Sequence, residues 1–195
     1  MNLLSTSYDA AEINKYVDFI NLMTYDYHTF FDGETGFNSP LFPGQNTDQT
    51  NNVNATVTGW INAGASPQKL LLGLGSYGNT FTLNDPSDNG LNSPTSGAGD
   101  AGPITQQAGK LSYLEICQSG GWTVEYDDVQ KSSYGFKGNQ WACFDNPEAF
   151  AAKAQYVKDN NLGGVMLWAI DMDDSKNACG GGSYPLLSAV EEVFQ

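Results

Sequence analysis

The chain has 195 residues, of which 40% are apolar, 12% aromatic and 15% charged, and its formal net charge at pH 7 is −14. This composition predicts a folded domain with one substantial core and argues against a disordered chain. A negative field of this size repels phosphate backbones and anionic lipid, which argues against nucleic-acid and membrane-surface partners, whereas neutral sugars are compatible with it.

The start of the chain is not expected to be a signal peptide. Residues 1–6 contain no basic segment and no long apolar run, so they do not resemble a signal peptide. No stretch of the sequence approaches the roughly 18 apolar residues of a membrane-spanning helix. These features predict either a cytosolic chain or an interior piece of a longer secreted protein.

Strands and helices alternate along the sequence. Three segments are predicted to be buried parallel strands because each is short, almost continuously apolar and bounded by polar or glycine-rich sequence. The predicted strands are residues 17–25, 69–77 and 163–170, and the predicted helices are residues 8–16, 54–63, 147–159 and 185–194. This alternation indicates an α/β fold with a parallel sheet.

The helix over residues 147–159 has the clearest signals. Asn146 or Asp145 can cap its first turn, and proline suits the first helical position. Phe150, Ala154 and Val157 fall on one face of this helix, which is the face expected to pack on the core.

The interval over residues 78–145 interrupts the alternation. It is rich in Gly, Asn, Ser and Pro, and a loop of that length without structure of its own would be unusual. We predict a small α+β insertion there, with one helix over residues 106–118. The predicted organisation is a barrel segment (residues 1–77), the insertion (78–145) and a second barrel segment (146–195).

A closed (β/α)8 barrel needs eight parallel strands and typically about 250 residues. If the three predicted strands belong to such a barrel, five strands would precede residue 17. The alternative is an open three-stranded sheet, which would leave edges and apolar faces exposed.

The ends of the predicted strands carry side chains suited to a sugar. Strand alternation puts Phe19, Asn21, Met23 and Tyr25 on one face, and Asp26 follows at once. The second strand ends at Tyr77, and the third ends at Met166, Trp168 and Asp171. In barrels the site lies at the carboxyl ends of the strands. Aromatic planes stack on sugar rings, and phenols and carboxylates bond the hydroxyls, so these ends predict a saccharide site.

Five stretches of sequence carry a resemblance to a known family. Residues 19–26 (FINLMTYD), 72–78 (LGLGSYG) and 163–174 (GGVMLWAIDMDD) resemble the sixth, seventh and eighth barrel strands of the family 18 glycoside hydrolases. Residues 93–99 and 114–117 are similar to the insertion of the animal-type subfamily. The resemblance covers essentially the whole chain. It implies the C-terminal part of a (β/α)8 TIM barrel, with an α+β insertion domain between strands seven and eight.

The resemblance also implies roles for individual residues. The family cleaves β-1,4-linked N-acetylglucosamine polymers by substrate-assisted retention, in which the acetamido oxygen of the sugar attacks the anomeric carbon. Tyr25 would bond the acetamido group, and Asp26 would bond the sugar at the cleavage point. Trp168 would form the floor of the site, Met23 and Met166 would shape the acetyl pocket, and Tyr77 and Glu115 would line the cleft.

One part of the family's pattern is missing from these 195 residues. The catalytic glutamate of the family ends a fourth-strand motif, Asp-x-x-Asp-x-Asp-x-Glu, and no segment here has that spacing. The strand that carries it would precede residue 1. Without this general acid the chain alone is predicted not to hydrolyse chitin. The rivals are a non-catalytic lectin of the same family and an inactive truncated product.

Three cysteines, Cys117, Cys143 and Cys179, allow one disulfide and a free thiol, or three reduced thiols. The resemblance implies a Cys117–Cys179 bridge, and hence an oxidising compartment for the parent protein. The sequence Asn54-Ala55-Thr56 is a glycosylation sequon, in keeping with secretion. With one histidine, His28, and no Cys-x-x-Cys pair, a metal site is not expected and no cofactor is implied.

Overall fold

The computed structural model of the protein describes residues 7–45 and 47–195. Residues 1–6, on which the signal-peptide expectation rested, lie outside this part. The helices found in it are α1 (Ala10–Tyr16), α2 (Val53–Asn62), α3 (Tyr113–Ser119), α4 (Pro147–Asp159) and α5 (Pro185–Phe194). The strands are β1 (Ile20–Leu22), β2 (Leu70–Gly75), β3 (Tyr77–Leu83), β4 (Thr95–Ala98), β5 (Lys110–Ser112), β6 (Thr123–Asp127), β7 (Ser132–Lys137), β8 (Gln140–Phe144) and β9 (Gly164–Trp168).

The three predicted parallel strands are confirmed and form one sheet in the order β1-β2-β9. Pairing begins where Ile20 meets Leu70 and ends where Gly75 meets Trp168. The first strand is therefore shorter than predicted, since the residues on either side of β1 have no partner strand in this register. All three strands run in the same direction, so their carboxyl ends meet at one edge of the sheet.

One face of the parallel sheet carries the main core. Leu22, Leu70, Leu72 and Leu74 point to this face and are buried against α2, α4 and α5. The helices contribute Val53, Val57, Phe150, Ala154, Val157, Leu186 and Val190. The bounds of α4 match the prediction. Asn146 is its cap, because its side chain accepts a hydrogen bond from the Ala149 N–H.

The opposite face of the parallel sheet is open. Phe19, Met23 and Trp168 point away from the helices and remain 56%, 72% and 57% exposed. We call this surface the open face. Met23 and Trp168 lie at the carboxyl edge of the sheet and Phe19 at its amino edge, and an open three-stranded sheet leaves such apolar side chains exposed.

The second sheet is antiparallel and lies within residues 77–144. Its strand order is β4-β3-β8-β7-β6, with β5 also paired to β3. Phe81, Trp141 and Phe37 form its own small core, and Trp141 stacks on Tyr134 at 5.2 Å between ring centroids. The sheet starts one residue before the interval predicted as an α+β insertion.

The helix predicted over residues 106–118 is wrong in its first half. Gln106 and Gly109 have positive φ values of 52° and 82°, which an α-helix does not allow. The next three residues form β5, and the helix starts only at Tyr113. Ser112 and Glu115 form a capping box at that point, so the helix start is fixed by local hydrogen bonds.

A buried ion pair joins the two sheets. The Lys153 ammonium on α4 contacts the Asp145 carboxylate directly after β8, and the side chains are 0% and 2% exposed. Lys153 Nζ also donates to Ser39 Oγ at 3.1 Å, and Asp145 Oδ1 accepts from Ser132 Oγ at 2.9 Å. Ser39 Oγ in turn donates to the Thr24 carbonyl at 2.6 Å, so the network reaches the segment that follows β1.

The cysteines pair as the resemblance implied. Cys117 on α3 and Cys179 in the loop before α5 form a disulfide with a Cα–Cα distance of 5.9 Å. Cys143 on β8 is a free, buried thiol, and burial raises its pKa well above the ordinary value. In the described ranges no helix is long and apolar enough to cross a membrane.

Candidate functional site

The candidate site lies at the carboxyl edge of the parallel sheet, on the open face. Met23, Tyr25 and Asp26 follow β1, Tyr77 follows β2, and Met166 and Trp168 close β9. Val165 and Leu167 pack toward the helices, so strand alternation turns Met166 and Trp168 to the open face. Six of the seven predicted substrate contacts are thus brought to the same edge, and Glu115 is the exception.

Two glycines of β2 leave room for the tyrosine rings. A Cβ at Gly73 would lie 3.1 Å from Tyr25 Cε1 and 2.2 Å from the Leu22 carbonyl oxygen. A Cβ at Gly75 would lie 3.2 Å from Tyr77 Cε1. Because these positions lack side chains, the two rings approach the strand and meet edge to face, with centroids 5.9 Å apart.

The backbone turns at Asp26 and is held there. Asp26 has a φ of 60°, in the left-handed region that aspartate tolerates better than most residues. Its N–H donates to Asn38 Oδ1 at 2.8 Å. Asn38 also donates through Nδ2 to the Tyr77 carbonyl at 3.3 Å, so one buried amide fixes Asp26 relative to the adjoining strand.

The Asp26 carboxylate has two partners from the antiparallel sheet. Its Oδ1 accepts from Asn79 Nδ2 at 3.0 Å and lies 3.5 Å from Lys110 Nζ. Asn79 is buried, and its amide is also within hydrogen-bond distance of the His28 carbonyl and of Asn38 Oδ1. Lys110 Nζ also lies 4.0 Å from the centroid of the Tyr77 ring. The antiparallel sheet therefore supplies the side chains that contact the Asp26 carboxylate.

Both tyrosines of the site are protonated donors at neutral pH. Burial raises the pKa of Tyr77, and the negative charge and hydrogen bond of Asp26 raise it further. Burial also raises the pKa of Tyr25, with a smaller contribution from the Asp26 charge. A neutral phenol next to a carboxylate suits recognition of a polar, uncharged ligand such as an amide or a hydroxyl.

Trp168 is positioned through the main chain around it. The Ser76 N–H donates to the Trp168 carbonyl at 3.0 Å, and the Ser76 hydroxyl donates to the Ala169 carbonyl. The Trp168–Ala169 peptide bond is cis. The hydrogen bonds from Ser76 fix the backbone of the tryptophan while its indole stays exposed.

Comparison with models of known protein families identifies the family of the chain. Residues 1–173 match the model of the glycosyl hydrolases family 18.

The chain belongs to glycosyl hydrolase family 18.

Named relatives and solved structures agree with this membership. Chitotriosidase-1 of Mus musculus is 42% identical over 195 residues, covering 97% of this chain and 41% of the relative. The structure of Ostrinia furnacalis Group IV chitinase in complex with allosamidin is 43% identical, with a TM-score of 0.93 over 97% of this chain and 53% of that one. Human YKL-39, described as a pseudo-chitinase with retained chitooligosaccharide binding properties, is 39% identical, with a TM-score of 0.93 over 98% and 54%.

The chain thus spans about half the length of the family 18 structures that it matches. The shared half contains the parallel strands and the antiparallel sheet. The fold of the described residues is therefore that of an α/β portion of a family 18 barrel domain. The individual roles assigned to Tyr25, Asp26 and Trp168 remain predictions.

Glu115 lines a pocket together with Gly102, Leu111 and Gln140. It is buried at the start of α3, and its carboxylate accepts hydrogen bonds from the N–H groups of Ile104, Thr105 and Ser112 and from the Ser112 hydroxyl. Burial alone would raise the pKa of Glu115, but these bonds outweigh it and lower the pKa. These contacts are those of a helix cap that holds residues 104–105 in place, and the cleft-lining role of Glu115 stays a prediction.

The aspartates that follow β9 differ in their exposure to solvent. Asp171 is exposed, whereas Asp173 and Asp174 are buried. Asp173 accepts from the Leu187 N–H at 3.1 Å in the first turn of α5, and Asp174 accepts from the Ala178 and Cys179 N–H groups. In this family 18 chain the two buried acids therefore hold the loop that carries Cys179.

The side chains of the sequon at Asn54 form hydrogen bonds with other parts of the fold. Asn54 lies in the first turn of α2, and its Oδ1 accepts from the Tyr156 hydroxyl at 2.9 Å. Thr56 Oγ1 lies 2.6 Å from the Tyr27 hydroxyl. Glycosylation at Asn54 stays a prediction, and a glycan added before folding would have to be accommodated beside Tyr156.

Sequence reasoning did not find the contacts that hold Asp26. Asn38, Asn79 and Lys110 hold Asp26, yet they lie 12, 53 and 84 positions from it in the chain. Asn38 is in a loop and Lys110 was assigned to a helix, so no local pattern pointed to either. In the residues that the structure describes, no group of three or more His, Cys, Asp or Glu side chains could hold a metal ion.

Proposed function

We propose that this chain forms the acetamido-recognising part of a family 18 saccharide site, and that its three parallel strands are strands six to eight of a (β/α)8 barrel. In this proposal residues 78–145 are the α+β insertion between strands seven and eight. The ligand class is β-1,4-linked N-acetylglucosamine, as chitin or chito-oligosaccharides. The observation that carries the proposal is the convergence of Tyr25, Asp26, Tyr77 and Trp168 at one sheet edge.

In this proposal each side chain contacts a different part of the sugar. The exposed Trp168 indole is the platform for a pyranose face, and Met23 and Met166 beside it offer an apolar seat for an acetyl methyl group. Tyr25, kept protonated, donates to the acetamido oxygen, and Asp26 accepts from the amide N–H or from a hydroxyl. In a protein that also carries the general acid, these groups would hold the acetamido oxygen for attack on the anomeric carbon.

Catalysis by the 195 residues alone is not part of the proposal. The Asp-x-x-Asp-x-Asp-x-Glu motif is absent from the sequence, so the leaving oxygen has no evident proton donor. A chitin-binding role is the second candidate, and it is favoured by the relative described as a pseudo-chitinase with retained chitooligosaccharide binding. For the parent protein, the disulfide favours a secreted location because such bonds persist in oxidising compartments.

Trp168→Ala tests the binding site. Titration calorimetry with chitotetraose should show binding by the wild-type chain and a loss of affinity of roughly tenfold or more in the variant, since an aromatic anchor typically contributes about 2 kcal/mol. The wild type should release no reporter from a fluorogenic chitobioside.

The matched control is Trp122→Ala. This indole lies next to the antiparallel sheet, where its N–H donates to Ser119 Oγ at 2.7 Å, and its loss should leave chitotetraose affinity unchanged. Absence of binding by the wild type, or equal losses in the two variants, would overturn the proposed site. Release of reporter would instead overturn the proposed lack of catalysis.

A further inference from the structure

We propose that Lys110 is a specificity-determining residue that offsets the charge of Asp26 in the saccharide site, so that this part of the site prefers N-acetylated, uncharged sugars over deacetylated, cationic ones. The inference rests on the proposed function, since it concerns the sugar that meets Asp26. Its basis is the placement of the Lys110 ammonium group against the Asp26 carboxylate, among the aromatic and thioether residues of the proposed site.

Lys110 reaches the site from the second sheet. It lies on β5 directly opposite Asn79 of β3, and residues opposite each other in an antiparallel pair point to the same side. Asn79 Nδ2 and Lys110 Nζ both approach Asp26 Oδ1, at 3.0 Å and 3.5 Å. The buried Asn79 amide therefore donates a hydrogen bond to the Asp26 carboxylate, and the Lys110 ammonium offsets its negative charge.

The Lys110 ammonium is held in place but remains partly accessible to solvent. Its Nζ lies 4.0 Å from the centre of the Tyr77 ring, an arrangement in which the negative face of the ring attracts the cation. The Lys110 and Asp26 side chains are 25% and 41% exposed. The pair is thus close enough to offset the acid's charge and open enough to meet a ligand at the same edge.

The consequence for selectivity follows from Coulomb's law. A glucosamine unit carries an ammonium where N-acetylglucosamine carries a neutral amide. With Lys110 present, that sugar ammonium meets a carboxylate that is already paired, and also a second cation. Without Lys110 it meets an uncompensated carboxylate on a chain whose net charge is −14. Removing Lys110 should therefore improve binding of the deacetylated sugar relative to the acetylated one.

The test compares two ligands across a set of variants. Binding of chitotetraose and of its fully deacetylated tetramer is measured by NMR titration, at a mildly acidic pH where glucosamine amines are protonated. Lys110→Met should shift the affinity ratio toward the deacetylated tetramer by roughly fivefold to tenfold, as expected for one charge in a partly exposed site. Lys110→Arg should keep the wild-type ratio.

The double variant Asp26→Asn/Lys110→Met separates charge from structure. It restores a neutral pair, so its affinity ratio should return toward the wild-type value. A purely structural role for Lys110 predicts weaker binding of both ligands at an unchanged ratio, and that result would overturn the inference. If wild-type chitotetraose binding is seen but Lys110→Met leaves the ratio unchanged, only this inference fails. If the wild type binds no chitotetraose, the proposed function fails as well.

Discussion

Replacing Lys153 by methionine is expected to lower the free energy of unfolding by about 3–5 kcal/mol, the cost of leaving a buried charge unpaired. Methionine keeps much of the side-chain length but removes the ammonium. The Asp145 carboxylate would then be buried with only Ser132 as a partner. Burial already raises the pKa of Asp145 and lowers the pKa of Lys153, and each charge opposes the effect of burial on the other.

Urea unfolding followed by circular dichroism measures this change. Lys15→Met is the matched control, because it removes an ammonium from the Glu12 pair, whose side chains are 63% and 48% exposed. That exposed pair should be worth about 1 kcal/mol or less. The double variant Asp145→Asn/Lys153→Met should lose less stability than Lys153→Met, since no charge is left unpaired. A Lys153→Met variant as stable as Lys15→Met would contradict this account of the buried ion pair between Lys153 and Asp145.

Removing the disulfide is the second large effect. The bridge closes a loop with a sequence separation of 62, for which the chain-entropy model gives about 4 kcal/mol of stabilisation. It links α3, whose start is capped by Glu115, to the loop held by Asp174 after β9. Cys117→Ser/Cys179→Ser should therefore destabilise the chain and loosen the contact between the insertion and the end of β9.

The same unfolding measurement, made with and without reductant, checks this prediction. The wild type should lose stability when reduced, and the double serine variant should not respond. Cys143→Ala, which leaves the bridge intact, should cost about 1 kcal/mol, the central value for point substitutions. Equal stability of the wild type and the double serine variant under oxidising conditions would show that the bridge contributes nothing to the fold.

The parts of the fold that were predictable are those encoded by nearby residues. The bounds of α4 follow from Asn146, Pro147 and an apolar face of period 3.6, and all of these signals are local. The leucine-rich strands were recognisable for the same reason. The first strand was predicted too long because its ends depend on where β2 starts and stops beside it, which no local pattern records.

The helix predicted over residues 106–118 failed in its first half because a long-range contact overrides its local sequence. Residues 106–112 include sequence compatible with a helix, but residues 110–112 pair with β3, where Lys110 lies opposite Asn79, and form β5 instead. Glu115 was predicted by resemblance to line the cleft. Its carboxylate is bound by residues of its own helix start and of the preceding loop, and the substrate contact stays a prediction. The sequence allowed either Asn146 or Asp145 as the cap of α4; the structure has Asn146 in that role, and Asp145 pairs with Lys153 in the helix interior.

Among the site residues, the strand-end set was predictable because strand ends and residue chemistry can both be read locally. Tyr25, Asp26, Tyr77 and Trp168 stand at such ends and do meet at one edge. Asn38 and Lys110 could not be found in this way, because their contacts with Asp26 exist only once the two sheets are docked. The charge of the site is thus a property of the folded arrangement.

The most direct test of the central claim is an NMR titration of the methionine methyl groups with chitotetraose. Met23 and Met166 border the proposed acetyl seat, and Met172 lies beyond the end of β9 as an internal reference. We predict that the Met23 and Met166 resonances shift, that Met172 shifts less, and that cellotetraose, which lacks acetamido groups, has little effect. Unmoved Met23 and Met166 resonances at millimolar chitotetraose would contradict the assignment of the open face as the saccharide site.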